Sequence, residues 1–138
     1  MKAVTFAAAG AFLFFSAFIM RAENKAQQSL YDTKWTLRKI QDSTGVTEVN
    51  TKAFIKFHEA QKSAGGNGSC NNFGSDFKRE GKTISFSNIF STKMYCEGVQ
   101  QIEDAFFRQL ANVTRFTIRE KRLILYRDKE LLLEFVAE

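Results

Sequence analysis

The sequence predicts an α+β domain, mostly antiparallel β: a small, partly closed β-barrel or strongly bent sheet of about eight strands, with one helix packed against it. Three observations carry this expectation. Short runs of alternating apolar residues recur along most of the chain, short polar turns separate them, and a single stretch repeats its apolar residues at helical spacing.

The runs begin after Tyr31. Thr33–Ile40 alternates loosely, with Trp35 and Leu37 on one face, and leads into a polar turn from Gln41 to Gly45. Ala53–Phe57 sets Ile55 and Phe57 on a common side. A glycine-rich segment of Gly65, Gly66, Asn67 and Gly68 reads as a mobile loop or bulge and as a candidate binding loop, ahead of Ser69–Phe73. Asp76–Arg79 and Thr83–Phe86 flank the Glu80-Gly81 turn, the arrangement of a hairpin. Val99, Ile102, Phe106 and Leu110, spaced by three, four and four, line one stripe of a helix that ends near Asn112. Arg115–Ile118, Leu123–Tyr126 and Leu131–Phe135 complete the chain. The turns between them, at Lys121 and Asp128-Lys129, are short and polar, so these neighbours pair antiparallel. No internal repeat, low-complexity tract or linker follows residue 28.

The charge and the apolar residues are unevenly spread. The 138 residues hold 20 basic and 15 acidic side chains, a formal charge of +5, two cysteines, no proline and 15 phenylalanines. No residue from Ala3 to Met20 is charged, and Phe6, Phe12, Phe14, Phe15 and Phe18 all fall in that stretch. Lys2, the apolar run, and then small and polar residues around Ala22 and Ala26 follow the order of a secretory signal. The expected division is a signal peptide over 1–22, a short leader over 23–30 and one domain over 31–138. The alternative is an uncleaved membrane anchor over residues 3–20, which has the minimum length for a bilayer core of about 30 Å, with Arg21 at its far end. The first cysteine is Cys70, so none follows the apolar run to be acylated. Either way the product is exported: periplasmic, cell-envelope or secreted, and expected to be a monomer. Without residues 1–22 the charge is +3, which together with export removes nucleic acid from the expected partners.

Export also decides how the cysteines read. In an oxidising compartment an even count favours a disulfide, and Cys70–Cys96 is the only pairing the chain offers. Closing that loop stabilises a fold by roughly 3.5 kcal/mol on the chain-entropy model. Two buried free thiols are the alternative. A metal site is not expected, because no CxxC spacing occurs and His58, the only histidine, has no nearby partner of ligand type.

Catalytic motifs are missing. There is no G-x-S-x-G elbow, phosphate-binding P-loop or HExxH helix, and a Cys/His pair would have to join Cys70 or Cys96 to His58. Glu103 and Asp104 are adjacent on the helix and diverge, so they do not form a carboxylate pair. No catalytic residue and no cofactor is therefore expected. Arg115, Arg119, Lys121, Arg122, Arg127 and Lys129 cluster late around Phe116 and Tyr126. They read as solvated outer faces of hairpins, or otherwise as an attraction to an anionic envelope surface. Asn67-Gly68-Ser69 and Asn112-Val113-Thr114 match the glycosylation acceptor pattern, relevant in a eukaryotic host.

Particular residues add a resemblance. Trp35 with Leu37, the segment Gly68-Ser69-Cys70-Asn71-Asn72-Phe73, then Thr92-Lys93-Met94-Tyr95-Cys96, then Glu103-Asp104-Ala105-Phe106 with Leu110, and a terminal Leu123-x-Leu125 run with Leu133 and Phe135, resemble the META domain of HslJ-like proteins. Order and spacing agree from Lys34 to the C-terminus, and the combination of C-N-x-F with T-x-M-x-C is the specific part. The family's glycine two residues after the aromatic of C-N-x-F is replaced by Ser75, with Gly74 one position earlier, so a shifted or bulged turn is expected there. The resemblance implies a compact β-rich fold with the helix packed on it and the two motif cysteines near each other. Members are small exported or membrane-associated proteins linked to heat shock, drug tolerance or virulence, and the resemblance implies no enzymatic activity.

Within these motifs Asn71, Phe73, Thr92, Met94 and Glu103 are the candidate site residues beside Cys70 and Cys96. Asn71 and Thr92 suit a structural role, satisfying backbone groups where irregular strands meet, with Glu103 tethering the same region. The functional alternative is a small polar pocket lined by Asn71, Thr92 and Glu103. The expected function is binding of a protein or envelope component. A small secreted inhibitor of a hydrolase, using the Ser63–Gly68 loop, is the second reading, and a hydrolase or redox enzyme built on Cys70 or Cys96 is the third.

Overall fold

The structure, a computed structural model, describes residues 3–5, 10 and 27–138, so the signal or anchor expected over residues 1–22 lies almost wholly outside the described residues. Among those residues, no helix is long and apolar enough to cross a membrane. The elements follow in the order β1 (Trp35–Asp42), β2 (Gly45–Glu48), β3 (Phe54–His58), β4 (Ser63–Asn67), β5 (Asn72–Glu80), β6 (Thr83–Ser91), α1 (Gln100–Leu110), β7 (Arg115–Arg119), β8 (Arg122–Arg127) and β9 (Glu130–Ala137).

Every strand pairs antiparallel with its neighbours. Because β1 pairs with β9 as well as with β3, eight of the nine strands close into a ring, the expected barrel. The closure is thinnest between β6 and β7, where Thr83–Arg115 is the one ladder pair, supported by hydrogen bonds from Ile84 N to Thr114 O and from Phe116 N to Lys82 O. β2 is the ninth strand and stands outside the ring, paired with the Lys39–Asp42 half of β1 that β3 does not reach. The turn foreseen from Gln41 to Gly45 thus shrinks to Ser43 and Thr44. The carboxylate of Asp42 organises it, accepting from Thr44 N at 2.8 Å, Thr44 Oγ1 at 2.6 Å and Thr47 Oγ1 at 2.8 Å.

Alternation along the strands fills the ring. Trp35 and Leu37, Ile55 and Phe57, Ile84, Phe116, Leu123 and Leu125, and Leu133 and Phe135 are all buried. Each such side chain contributes about 1.5–3 kcal/mol through its removal from water. Helix α1 lies against β1 and β9 and inserts Ala105, Phe106 and Leu110. The Phe106 ring meets Phe73 and Phe135 edge-on, with centroids 5.3 Å and 5.8 Å away.

Two expectations need correction. Residues 28–30 do not form a leader outside the domain: Leu30 belongs to the core, its carbonyl accepts the Trp35 indole N–H at 3.0 Å, and Ser29 O accepts the Thr33 hydroxyl at 2.8 Å. The glycine-rich segment is strand over all but Gly68. Gly65, Gly66 and Asn67 belong to β4, which pairs along its whole length with β3 on one side and β5 on the other. The glycines are there for close approach. A Cβ on Gly65 would lie 2.9 Å from Phe73 O, and one on Gly66 would collide with Phe54 O. By contrast, the bulge expected at Gly74-Ser75 is present, as a register shift between Gly74 and Asp76 against β6.

Candidate functional site

Three segments meet at the N-terminal part of α1: the β4–β5 connection Gly68–Asn71, the β6–α1 loop Thr92–Val99, and the helix itself. The Cys70–Cys96 disulfide, with a Cα–Cα distance of 5.8 Å, joins the first two. It realises the pairing expected from the cysteine count, and neither cysteine is a free thiol.

Glu103 joins the third. It occupies the position four residues after Val99 and three before Phe106, so it lies on the helix stripe that packs inward, and it is buried. Its Oε2 accepts the backbone N–H groups of Cys70 at 2.9 Å and Asn71 at 2.6 Å, and its Oε1 accepts Asn71 Nδ2 at 2.5 Å. A carboxylate in that position is stabilised by charge-assisted hydrogen bonds, and by its nearness to the positive end of the helix dipole. Gly68 makes room for it. A Cβ there would fall 2.8 Å from the Glu103 side chain and 2.6 Å from the Phe107 ring.

Asn71 completes the join. A side-chain amide can donate twice and accept twice, and Asn71 does both while buried. Nδ2 donates to Glu103 Oε1 and to Met94 O at 2.9 Å, whereas Oδ1 accepts Met94 N and Thr92 Oγ1, each at 2.8 Å. The amide thus stands in for a strand where the loop has left the sheet. Phe73, two residues on, buries its ring against Phe106 and Phe107. An open cleft of about 300 Å³ lies beside this network, lined by Asn71, Thr92, Met94, Gln100, Glu103 and Asp104 among others.

The structure therefore gathers Cys70, Asn71, Phe73, Thr92, Met94, Cys96 and Glu103 into one cluster. Of the candidate binding loop, Gly65 and Gly66 lie in the sheet, while Asn67 and Gly68 lead into the cluster. His58 is exposed at the end of β3, on a different element from either cysteine. The late cations are partly spent on local contacts. Arg115 lies over the Tyr126 ring at 3.9 Å, and Arg122 and Arg127 pair with Glu134 at 3.4 Å and Glu130 at 2.8 Å. Two exposed residues carry more weight here than sequence motifs gave them. Met94 is 62% and Tyr95 78% exposed, although the backbone beneath them is held by Asn71 and the disulfide.

The chain matches the META domain over residues 28–138. No curated protein matches it. Among solved structures it is similar to a protein from Burkholderia xenovorans determined by NMR, with a TM-score of 0.66 and 22% identity, covering 79% of this chain and 83% of that one. A second NMR structure matches with a TM-score of 0.56 and 18% identity, over 75% of this chain and 88% of the other. These two likenesses show the shared barrel-and-helix fold. The family match takes in every strand, the helix and both cysteine motifs, and the chain belongs to the META domain family.

Proposed function

We propose that this chain is an exported, non-enzymatic binding domain that holds a partner protein of the cell envelope through the loop Thr92–Val99. The observation that carries this reading is the display of Met94 and Tyr95 on a backbone fixed from beneath by Asn71 and at its end by Cys70–Cys96. Large apolar side chains on an already ordered loop give contact area without the entropic cost of ordering it on binding. Export is supported by the disulfide, which persists in oxidising compartments, and by the uncharged run from Ala3 to Met20. The non-enzymatic reading is supported by the use each polar group finds. The Glu103 carboxylate and the Asn71 amide are engaged by the backbone, and the two sulfurs by each other.

A photo-crosslinking residue placed at Tyr95 in cells tests this. The expected result is a discrete adduct with one envelope protein, lost when Met94 is changed to Ser and absent when the crosslinker is placed at Lys129 in the distant β8–β9 turn. Equal adducts from both positions, or none from Tyr95, would remove the support for the loop as a contact surface.

A further inference from the structure

A second polar site lies on the outer face of the barrel, where β1 parts from β3. Lys34, Thr36 and Arg38 alternate with the inward-facing Trp35 and Leu37, and so share the outer side of β1. β1 and β3 are in register at Trp35–Ile55 and Thr36–Phe54, Leu37 N donates to Ala53 O at 2.9 Å, and an open cleft of about 640 Å³ is lined by Thr36 and Phe54 from this pairing. Phe54 and Lys52 line its other side. The Lys34 ammonium sits 5.1 Å from the centre of the Phe54 ring.

Three cationic side chains face this cleft, against one side-chain carboxylate. Glu138 reaches in beyond the end of β9, with Lys34 Nζ 3.0 Å from Oε2 and Arg38 Nη2 3.8 Å from Oε1. Lys52 forms no ion pair with any described residue. The Thr36 hydroxyl, on a residue only 3% exposed, has no hydrogen-bond partner among the described residues, and Thr36 lines the cleft together with Glu138. A buried hydroxyl left in that state costs stability, and an oxygen placed deeper in the cleft would relieve it. The surroundings favour negative oxygen: Lys34 and Arg38 both stand beside the Glu138 carboxylate. Glu138 itself is nearly half exposed, so its side chain can leave.

We infer that this cleft binds a small oxyanion, the carboxylate or phosphate group of a ligand, and that the Glu138 side chain is its internal occupant, displaced when the ligand enters. Lys34 and Lys52 would neutralise the anion and the Arg38 guanidinium would present its remaining N–H groups, a geometry suited to planar or tetrahedral oxyanions. The Thr36 hydroxyl would donate from the floor. Ser69, in the β4–β5 connection, lines this cleft as well, but none of Lys34, Thr36, Arg38, Lys52 and Glu138 takes part in the Asn71–Glu103 network, and the inference does not rest on the partner-binding reading.

The test is a titration of the full chain with inorganic phosphate, and separately with acetate, at constant ionic strength, following backbone amide shifts by NMR. Saturable shifts confined to Lys34–Arg38 and Lys52–Phe54 are expected with at least one of the two probes, and the probe that saturates identifies the group. Glu138→Gln removes the competing carboxylate and should tighten binding by about tenfold. Thr36→Val keeps the shape, removes the unpartnered hydroxyl, and should weaken binding while the melting temperature holds or rises. Shifts that grow linearly and spread over surface lysines would mean a salt effect and overturn the inference. So would an affinity unchanged by Glu138→Gln, or by Thr36→Val.

Discussion

The side-chain amide of Asn71 pairs with the backbone of Met94 as one strand pairs with another, donating to its carbonyl at 2.9 Å and accepting its N–H at 2.8 Å. The loop that carries Met94 is therefore held by a side chain 23 positions earlier, in addition to the disulfide. Asn71→Ala would leave Met94 N and O, Thr92 Oγ1 and Glu103 Oε1 short of a partner. The expected loss is about 2–4 kcal/mol in urea denaturation, because the buried Glu103 oxygen and the part-buried groups of Thr92 and Met94 lose their partner together. Asn71→Asp should cost more at neutral pH by setting a second carboxylate against Glu103. Its deficit should shrink on acidification, when protonating the introduced carboxylate removes the repulsion and restores a donor. An Asn71→Asp variant equal to wild type at both pH values would contradict this geometry.

Glu103 is the acceptor for both backbone N–H groups at the C-N motif, so its replacements should separate charge from size. Glu103→Ala strands three donors and opens space beside Phe107, with an expected loss of about 3–5 kcal/mol. Glu103→Gln keeps the volume but turns one acceptor into a donor facing donors, and should lose about half as much. The ranking Ala below Gln below wild type, read from denaturation midpoints, is the check.

Cys70→Ser with Cys96→Ser should lower stability by roughly 3.5 kcal/mol without abolishing the barrel, since the ring closes through β1 and β9 and does not depend on the bridge. Far-ultraviolet circular dichroism of the double variant should match wild type, while amide exchange quickens within residues 92–98. Loss of all sheet signal would show that the bridge, rather than the core, specifies the fold.

The β1–β2 turn should respond to acid. The hydroxyl and backbone N–H of Thr44, followed by the Thr47 hydroxyl, hold the Asp42 carboxyl below its ordinary value of 3.8. A carboxyl depressed in the folded state lends its stability above its unfolded value and loses it as the pH falls through the folded one. The Thr44 amide should therefore exchange faster, relative to the core, only as the pH drops below about 3.8, and Asp42→Asn should lack this acid limb. An identical acid response from Asp42→Asn would assign the effect elsewhere.

How far the fold was legible depended on whether a strand announces itself by side chains. β1 and β3 set large apolar residues at alternate positions, β8 and β9 carry continuous apolar runs, and residues of all four fill the core. β2 does not: of Gly45–Glu48, only Val46 is apolar and it is exposed, so the strand exists through the Asp42 turn and its register with β1. β4 reads as a loop because its glycines answer to the nearness of Phe54 and Phe73, which are distant in sequence. The site was half legible. Its residues stood out as motifs, and Glu103 sat on an otherwise apolar helix stripe, a position that argues for a buried partner. What no spacing could show was that the partners are the N–H groups of Cys70 and Asn71, or that Glu138 and Lys52 line one cleft with Thr36.

The proposed export and the locking of the loop Thr92–Val99 by Cys70–Cys96 both register in the intact mass of the native protein purified under thiol-blocking conditions. The expected species is a chain lacking the signal over residues 1–22, lighter by one pair of hydrogens than its reduced form and carrying no blocked thiol. A full-length chain with both cysteines blocked would contradict both.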